Sequence, residues 1–467
     1  MFYYQPLTLC KEFVEQLNAS LSSLDATPLS LSQKVWLSVC ITGVIVTNTV
    51  CWKRFERACF GRFCSGTLSK MFRRGKIRWD DLLMASVMRV FDCYGIKSGV
   101  LALDGTDNRR SKNTTKIAMA HKIKDKSSGG FINGQELTIL VLITDKITLP
   151  VGFGFYEPDP DYRDWKQSDK QLRKQGVAKK DRPKAPAKNS DYPTAIELAL
   201  EMLRQFHSHY PQIKIKAILA DALYGANTFV SPASNLFGGV QVISQARKNQ
   251  KIKSGNQSLS LERYFIRNPG IATELKIRGA KTQTVIMRGA RLYLNAHGCK
   301  RFIVALKYEG ETDYRYLLAS DLSWRLTDIA AGYTLRWLVE VFIQDWKGYE
   351  GWCQLAKQPG TEGSCRGVIL SLLVDHCLLL HPAQLALINN KLPAATVGSL
   401  RDRERAKAVV ETIENLVVAN DRTANIVSEL KQCIDKAIPL RPSSKHMNAR
   451  DLGRLEATPG LRYKAAA

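Results

Sequence analysis

The sequence predicts an α/β core. An all-β block interrupts it, and helical regions lie at both ends. Three observations carry this. Between residues 98 and 238, short apolar runs that end in acidic residues alternate with a helix-length segment. From 239 to 320 the apolar residues alternate with period two. Before 97 and after 321 they recur at helical spacing.

The chain has 467 residues, too long for one ordinary domain. Hydrophobic residues make up 45% and charged residues 24%, which excludes a disordered or collagen-like chain. Lys and Arg total 68 against 43 Asp and Glu, a net charge of +25. Such a surface attracts polyanions, nucleic acid first. The eleven cysteines are scattered singly without a C-x-x-C pair, which fits reduced thiols rather than a disulfide framework or zinc site. The first residues lack a basic segment followed by an apolar run, so no secretory leader is expected. The most apolar stretch, 35–52, carries Ser, Thr, Asn and Gly and is expected to be a buried helix rather than a membrane span. The expected location is the cytoplasm, with no membrane partner.

Residues 1–97 predict a helical DNA-binding domain, with helices over 11–21, 32–47 and 80–94. Its stretch 53–78 carries nine Lys/Arg, among them Arg54, Arg57, Arg73 and Arg74, against Glu56 alone, interleaved with Phe and Trp. Residues 98–238 form the first part of the core. Val100-Leu101-Ala102-Leu103 is a strand ending at Asp104, and further strands are expected over 116–123, 136–143 and 147–155. A Lys- and Pro-rich linker follows, then a helix over 194–207 and a strand over 213–220 that ends at Asp221. The 239–320 block reads as a β-rich insertion. Residues 247–291 within it, including Arg247 and Lys248, carry eleven Lys/Arg against Glu262 and Glu274. The second part of the core, 321–390, opens with one long helix over 323–349. Residues 391–467 predict helices over 403–419 and 422–437, a possible dimerisation region, before a weakly patterned tail.

Asp104 and Asp221 end apolar strands, where a carboxylate is held by a buried element yet open to solvent. Each alone could simply cap a turn. The helix after 323 says more. At about 100° per residue, Tyr333, Arg336, Glu340, Gln344 and Lys347 fall within about 80° of arc on a cylinder that is otherwise mostly apolar, Thr334 and Asp345 excepted. A buried charge is costly unless paired, and Arg336 and Glu340 at i,i+4 can form a structural ion pair. A pure ion-pair ladder leaves the two strand-end carboxylates unexplained. Asp107 is a substitute ligand candidate, and Glu350 is expected to face solvent.

The spacing Tyr333-x2-Arg336-x3-Glu340-x6-Lys347, with Asp104-Gly105-Thr106 and Asp221-Ala222-Leu223-Tyr224-Gly225, resembles the motifs of bacterial insertion-sequence DDE transposases. The resemblance covers roughly residues 100–350. It implies an RNase H-like core, a mixed sheet with flanking helices, interrupted by a β-rich insertion domain, in a bacterial cytoplasmic protein at the nucleoid. Asp104, Asp221 and Glu340 are then the catalytic residues and the ligands of two Mg²⁺ ions, for which Mn²⁺ can substitute. It further implies that Arg336 and Lys347 hold phosphates near the cleaved end, with Tyr333 beside them. The expected activity is cut-and-paste transposition: binding of terminal inverted repeats, cleavage at the ends, and joining of 3′ ends to target DNA. The partners implied are double-stranded DNA, as transposon ends and target, and a second copy in a homodimer on paired ends. An RNase H-like nuclease without strand transfer and a domesticated, catalytically silent DNA-binding protein are the alternatives. Some family members stack an aromatic of the insertion on a flipped base; here Tyr264, Phe265 and Tyr293 are the aromatics available, and each also suits a β core.

Overall fold

The computed structural model describes residues 1–418 apart from 111–113, 115–116, 126–128, 255–256, 278–280 and 355–358. Beyond 418 it describes only 427–428, 431, 434, 440–443 and 445. The second C-terminal helix expected over 422–437 and most of the tail therefore lie outside the described residues.

Five helices come first: α1 (Thr8–Ser23), α2 (Leu31–Thr47), α3 (Trp52–Ala58), α4 (Ser65–Arg74) and α5 (Trp79–Tyr94). A capping box starts α2. Ser30 Oγ accepts from the Gln33 N–H, and the Gln33 side chain accepts from the Ser30 N–H. Two donors that a first turn leaves unpaired are thereby satisfied. Every residue of α2 from Trp36 to Val46 is buried, so the most apolar stretch of the chain is a core helix. No single helix among the described residues is long and apolar enough to cross a membrane. Phe72 and three tryptophans, Trp36, Trp52 and Trp79, form one cluster with centroids 5.1–6.3 Å apart. Phe55 and Phe72 of the basic stretch are thus core, Phe63 is half-buried and Phe60 is exposed, while Arg54, Arg57, Arg73 and Arg74 are exposed on the other side of the same helices.

The chain then alternates. It forms β1 (Ser98–Arg109), β2 (His121–Lys124), β3 (Phe131–Ile143), β4 (Thr148–Tyr156), α6 (Pro160–Lys174), α7 (Ala195–His209), β5 (Lys214–Leu219), α8 (Asn227–Leu236) and β6 (Gln241–Ala246). The next block comprises β7 (Lys251–Ser254), β8 (Gln257–Ser260), α9 (Leu261–Arg267), β9 (Ile271–Ile277), β10 (Lys281–Leu294), β11 (Cys299–Tyr308) and β12 (Arg315–Ala319). The last helices are α10 (Leu326–Thr334), α11 (Trp337–Tyr349), α12 (Gly360–Leu379), α13 (Pro382–Asn389) and α14 (Val397–Val418).

The chain is thus mixed α/β, and its twelve named strands form one mixed sheet. The order is β2-β3-β1-β5-β6-β12-β11-β10-β7-β8, with β4 on β3 and β9 on β10. β1, β5 and β6 run parallel, and β3 is antiparallel to β1. Val100–Leu103 are wholly buried. An unbroken apolar run is what a strand covered on both faces requires, and it explains why no alternation marks this segment.

Three sequence expectations are corrected. Asp104 does not end its strand: β1 continues to Arg109 because β3 keeps pairing, from Asp104↔Ile139 to Arg109↔Gly134. The period-two block is not all β. Its LERYFI segment is α9, since Ser260 Oγ caps the Arg263 N–H and Leu261 and Phe265 bury one helical side. The first strand of the block, β6, pairs parallel with β5, so its strands continue the common sheet. The helix over 323–349 divides at Leu335–Arg336. There the backbone bonds shorten to i→i−3, Leu335 to Gly332 and Arg336 to Tyr333, while both residues stay right-handed. The division is a tightening by one 3-10 step rather than a kink.

The N-terminal helices share a core with α12. Ser86 Oγ lies 2.7 Å from His376 Nδ1, and Tyr94 donates to the Leu379 carbonyl at 2.6 Å. His376 Nε2 lies 2.9 Å from the Pro150 carbonyl, so it carries the proton and Nδ1 accepts. Burial pulls His376 down to about 4 from 6.5. Its folded value lies below its unfolded value, so between them the unfolded chain binds the extra proton. Stability is therefore full above pH 6.5 and falls as pH drops towards 4. His376→Gln is expected to flatten that fall between about pH 7 and 5, read as the change in urea midpoint. An unchanged fall in the variant rejects this role.

Candidate active site

Asp104 lies where β1 leaves the core. Its neighbours Leu101 to Leu103 are buried and it is half-buried. Its Oδ1 accepts from the Gly105 N–H at 2.8 Å. Asp221 lies just past the parallel neighbour β5 and caps a 3-10 turn over Ala222–Tyr224, accepting from the Leu223 N–H at 2.9 Å. Ser244 on β6 donates to the Asp221 carbonyl at 2.6 Å. Two adjacent parallel strands thus carry the two aspartates to the same rim. Asp104 and Asp221 line one cleft of about 390 Å³, together with Lys124, Glu136, Thr138 and Tyr224.

Glu340 arrives from α11, which is anchored from below. Trp346 stacks on Trp352 with centroids 4.4 Å apart and planes at 7°, and its Nε1 donates to Ser371 at 2.8 Å. Glu340 itself is exposed. Arg336 ties helix to strand. Its Nη1 donates to Asp104 Oδ2 at 2.6 Å, and its Nη2 donates to Glu340 Oε1. Lys347 Nζ, two turns on, lies 3.2 Å from Asp107 Oδ1. Tyr333 packs its ring 5.9 Å from the Arg336 guanidinium carbon. The Tyr333 hydroxyl and Arg336 Nε are buried with no hydrogen-bond partner among the described residues.

Burial pushes the Asp104 carboxyl up; Arg336 is the main opposing charge, and Asp221 and Glu340 push it further up. Asp104 therefore senses both other acids across the rim. Burial likewise pushes the Tyr333 hydroxyl up to about 12, with Arg336 opposing and Asp221 and Asp104 reinforcing. Arg336 is held above its ordinary value by Tyr333, Asp104 and Glu340 despite burial. One cation standing among mutually repelling carboxylates is the electrostatic character of the site.

The donor set fits a hard divalent cation. It offers carboxylate oxygens without thiol or imidazole, and their repulsion is what added positive charge relieves. Arg336 supplies that charge here. Among the described residues no group of three or more His, Cys, Asp and Glu is placed to hold a metal ion, and Arg336 stands between Asp104 and Glu340.

Of the residues singled out from sequence, Asp104, Asp221, Glu340, Arg336 and Tyr333 form one constellation. Asp107 and Lys347 pair on its flank. Glu350 is corrected: it is 0% exposed, because its carboxylate turns inward beside Asp375 and Lys445. Arg54 donates to Gln354 at 2.9 Å and Lys248 pairs with Glu262 at 3.0 Å, both on exposed surface. Arg247 is exposed in a recess next to Leu223. Phe265 is core, Tyr264 is half-buried and Tyr293 is exposed on β10. Sequence reasoning missed Glu136, which lies opposite Asp107 in the β1–β3 register and 3.1 Å from His121 Nε2. Only the hairpin register could have placed it.

Gly225 shows why the Asp221 loop has its sequence. A Cβ there would come within 2.3 Å of the Gln245 carbonyl oxygen, which is backbone and cannot swing away. His297 from the β10–β11 turn also contacts the Gly225 carbonyl, at 3.1 Å. Gly225→Ala is expected to displace Asp221 and cost about 1–3 kcal/mol by overpacking. The check is a lower urea midpoint; an unchanged midpoint contradicts the contact.

Compared with models of known protein families, the chain matches none, and no curated protein matches it significantly.

Proposed function

We propose that the chain is a DNA transposase that binds transposon ends, cleaves their phosphodiester bonds and joins 3′ ends to target DNA. The observation that carries this is the Arg336 bridge, which links Glu340 on α11 to Asp104 on the sheet, where Asp104 shares one cleft with Asp221. A structural ion-pair ladder accounts for Arg336 and Glu340 but not for two aspartates delivered to the same rim by neighbouring strands. The order β4-β3-β1-β5-β6, with an antiparallel hairpin beside parallel strands, supports an RNase H-like core. The strands between β6 and α10 support a β-rich insertion there.

Asp104, Asp221 and Glu340 are the residues to hold two Mg²⁺ ions, which supply charge neutralisation at phosphorus and an acidified water or 3′-hydroxyl. Asp104 and Asp221 are held by rigid strands, so α11 sets the distance from Glu340 to them. Arg336 has a planar fork suited to a phosphate once it leaves the carboxylates, and Lys347 can offer a point charge beside it. Tyr333 keeps Arg336 over its ring. Two copies on paired ends, acting in the cytoplasm, complete this reading.

The test is purified protein with Mg²⁺ and DNA carrying the sequences that flank its gene. Strand joining supports a transposase. Cleavage without joining indicates a nuclease, and binding with neither indicates a silent DNA-binding protein.

A further inference from the structure

Residues 157–194 leave the sheet at the end of β4 and return at the start of α7, and none of them is buried. They nevertheless hold a shape. Trp165 Nε1 donates to the Pro183 carbonyl at 2.8 Å, and Arg182 pairs with Asp169 at 2.8 Å. Trp165, Asp169 and Leu172, spaced i, i+4, i+7, are the half-buried residues of one α6 face, which the returning chain covers. The opposite face is different. At about 100° per residue, Arg163, Lys166, Lys170, Arg173 and Lys174 fall within about 100° of arc. All five are exposed. Arg163 pairs with Asp164; the other four form no ion pair with a described residue. Residues 163–188 carry ten Lys/Arg against three Asp.

The placement of this segment matters as much as its charge. Tyr156, its last sheet residue, and Ala195, where it rejoins α7, both line the cleft of Asp104 and Asp221. The arm therefore springs from both sides of the site's rim. A self-braced helix without a core, bearing a one-sided row of unpaired cations, is stabilised by meeting a polyanion.

We propose that residues 157–194 are an arm that grips a DNA duplex by its phosphates beside the cleft, through the stripe Lys166, Lys170, Arg173 and Lys174. The stripe from Arg163 to Lys174 is about 16 Å long at 1.5 Å per residue. A duplex presents one phosphate per about 1.7 Å of axis, so each stripe cation has a phosphate within reach. The arm deepens the DNA-processing reading and rests on it for the choice of DNA among polyanions.

The test uses the full chain without Mg²⁺ and a fluorescein-labelled mixed-sequence duplex of about 30 base pairs, titrated between about 50 and 200 mM KCl. Lys166→Gln/Lys170→Gln/Arg173→Gln/Lys174→Gln is expected to lower the slope of log affinity against log salt by about three to four. Each lost phosphate contact accounts for about 0.9 of this. Affinity at about 100 mM should fall at least tenfold, and a variant with arginine at all four positions should retain it. Circular dichroism should be unchanged, since no core residue is altered. A slope within about one of wild type overturns the proposal, including where the glutamine variant loses dimer mass in sedimentation, which makes the stripe a contact between copies. Because the readout needs no cleavage, a failed arm leaves the transposase reading standing, and a chain that never joins strands leaves the arm result standing.

Discussion

Alanine at Asp104, Asp221 or Glu340 is expected to lower Mg²⁺-dependent cleavage of end-containing DNA at least about a thousandfold, which is about 4 kcal/mol of transition-state stabilisation. Loss should be similar at all three, because ligands of one pair of ions act as a unit. Folding should survive. Glu340 is exposed, and burial together with Asp221 and Glu340 outweighs Arg336 in disfavouring the Asp104 charge, which its removal relieves. Asp104→Asn should thus unfold at the same temperature as wild type or higher, as often happens when a strained catalytic charge is removed. Divalent metal should raise the wild-type midpoint and not the variant's. Full activity in any one alanine variant removes that residue from the site.

The second large effect lies beneath α11. Lys445, 0% exposed, drops from the C-terminal segment and donates to Asp375, also 0% exposed. Its ammonium sits 4.9 Å from the Phe342 ring centroid. The segment reaches there along residues 394–396, through the Ala395↔Pro442 bridge, and Thr148 Oγ1 donates to the Lys445 carbonyl. Burial, then the Asp375 charge, push Glu350 far above the ordinary carboxylate range, so it is held neutral and Lys445 answers the Asp375 charge. Lys445→Met leaves Asp375 buried without its counter-charge and should cost about 3–5 kcal/mol. Lys445→Met/Asp375→Leu should recover most of it, since replacing both ions by apolar groups is often neutral. Denaturant midpoints decide: a single variant as stable as wild type, or a double variant no better than the single, contradicts the buried pair. Glu350 closes α11, so loosening this pair should also lower activity through the position of Glu340.

What the sequence could and could not reveal follows from the range of the forces involved. The parallel strands around Leu101 and Ile218 were legible because burial on both faces demands an unbroken apolar run. Asp104, Asp221 and the polar stripe of α11 were legible because a carboxylate beside a buried run, or on an apolar helix, is energetically conspicuous. That these elements meet through Arg336 required the sheet register, which no local pattern contains. α9 was misread because Ser260, Leu261 and Phe265 satisfy both a cap and an alternating strand. Glu350 was misread because its environment is made by Lys445, almost a hundred residues later in a weakly patterned tail, and by Asp375 on another helix. The arm's charge was visible in the composition of 163–188, but its one-sidedness depends on α6 forming and on the return through Pro183.

The most direct test of the convergence of Asp104, Asp221 and Glu340 replaces Mg²⁺ by Fe²⁺ and adds ascorbate, so that radicals released at the bound ion cut nearby backbone. The account predicts cuts beside all three residues, suppressed together by excess Mg²⁺ and by Asp221→Asn. Cuts beside only one of them, or a pattern that Mg²⁺ does not suppress, would contradict a shared metal site.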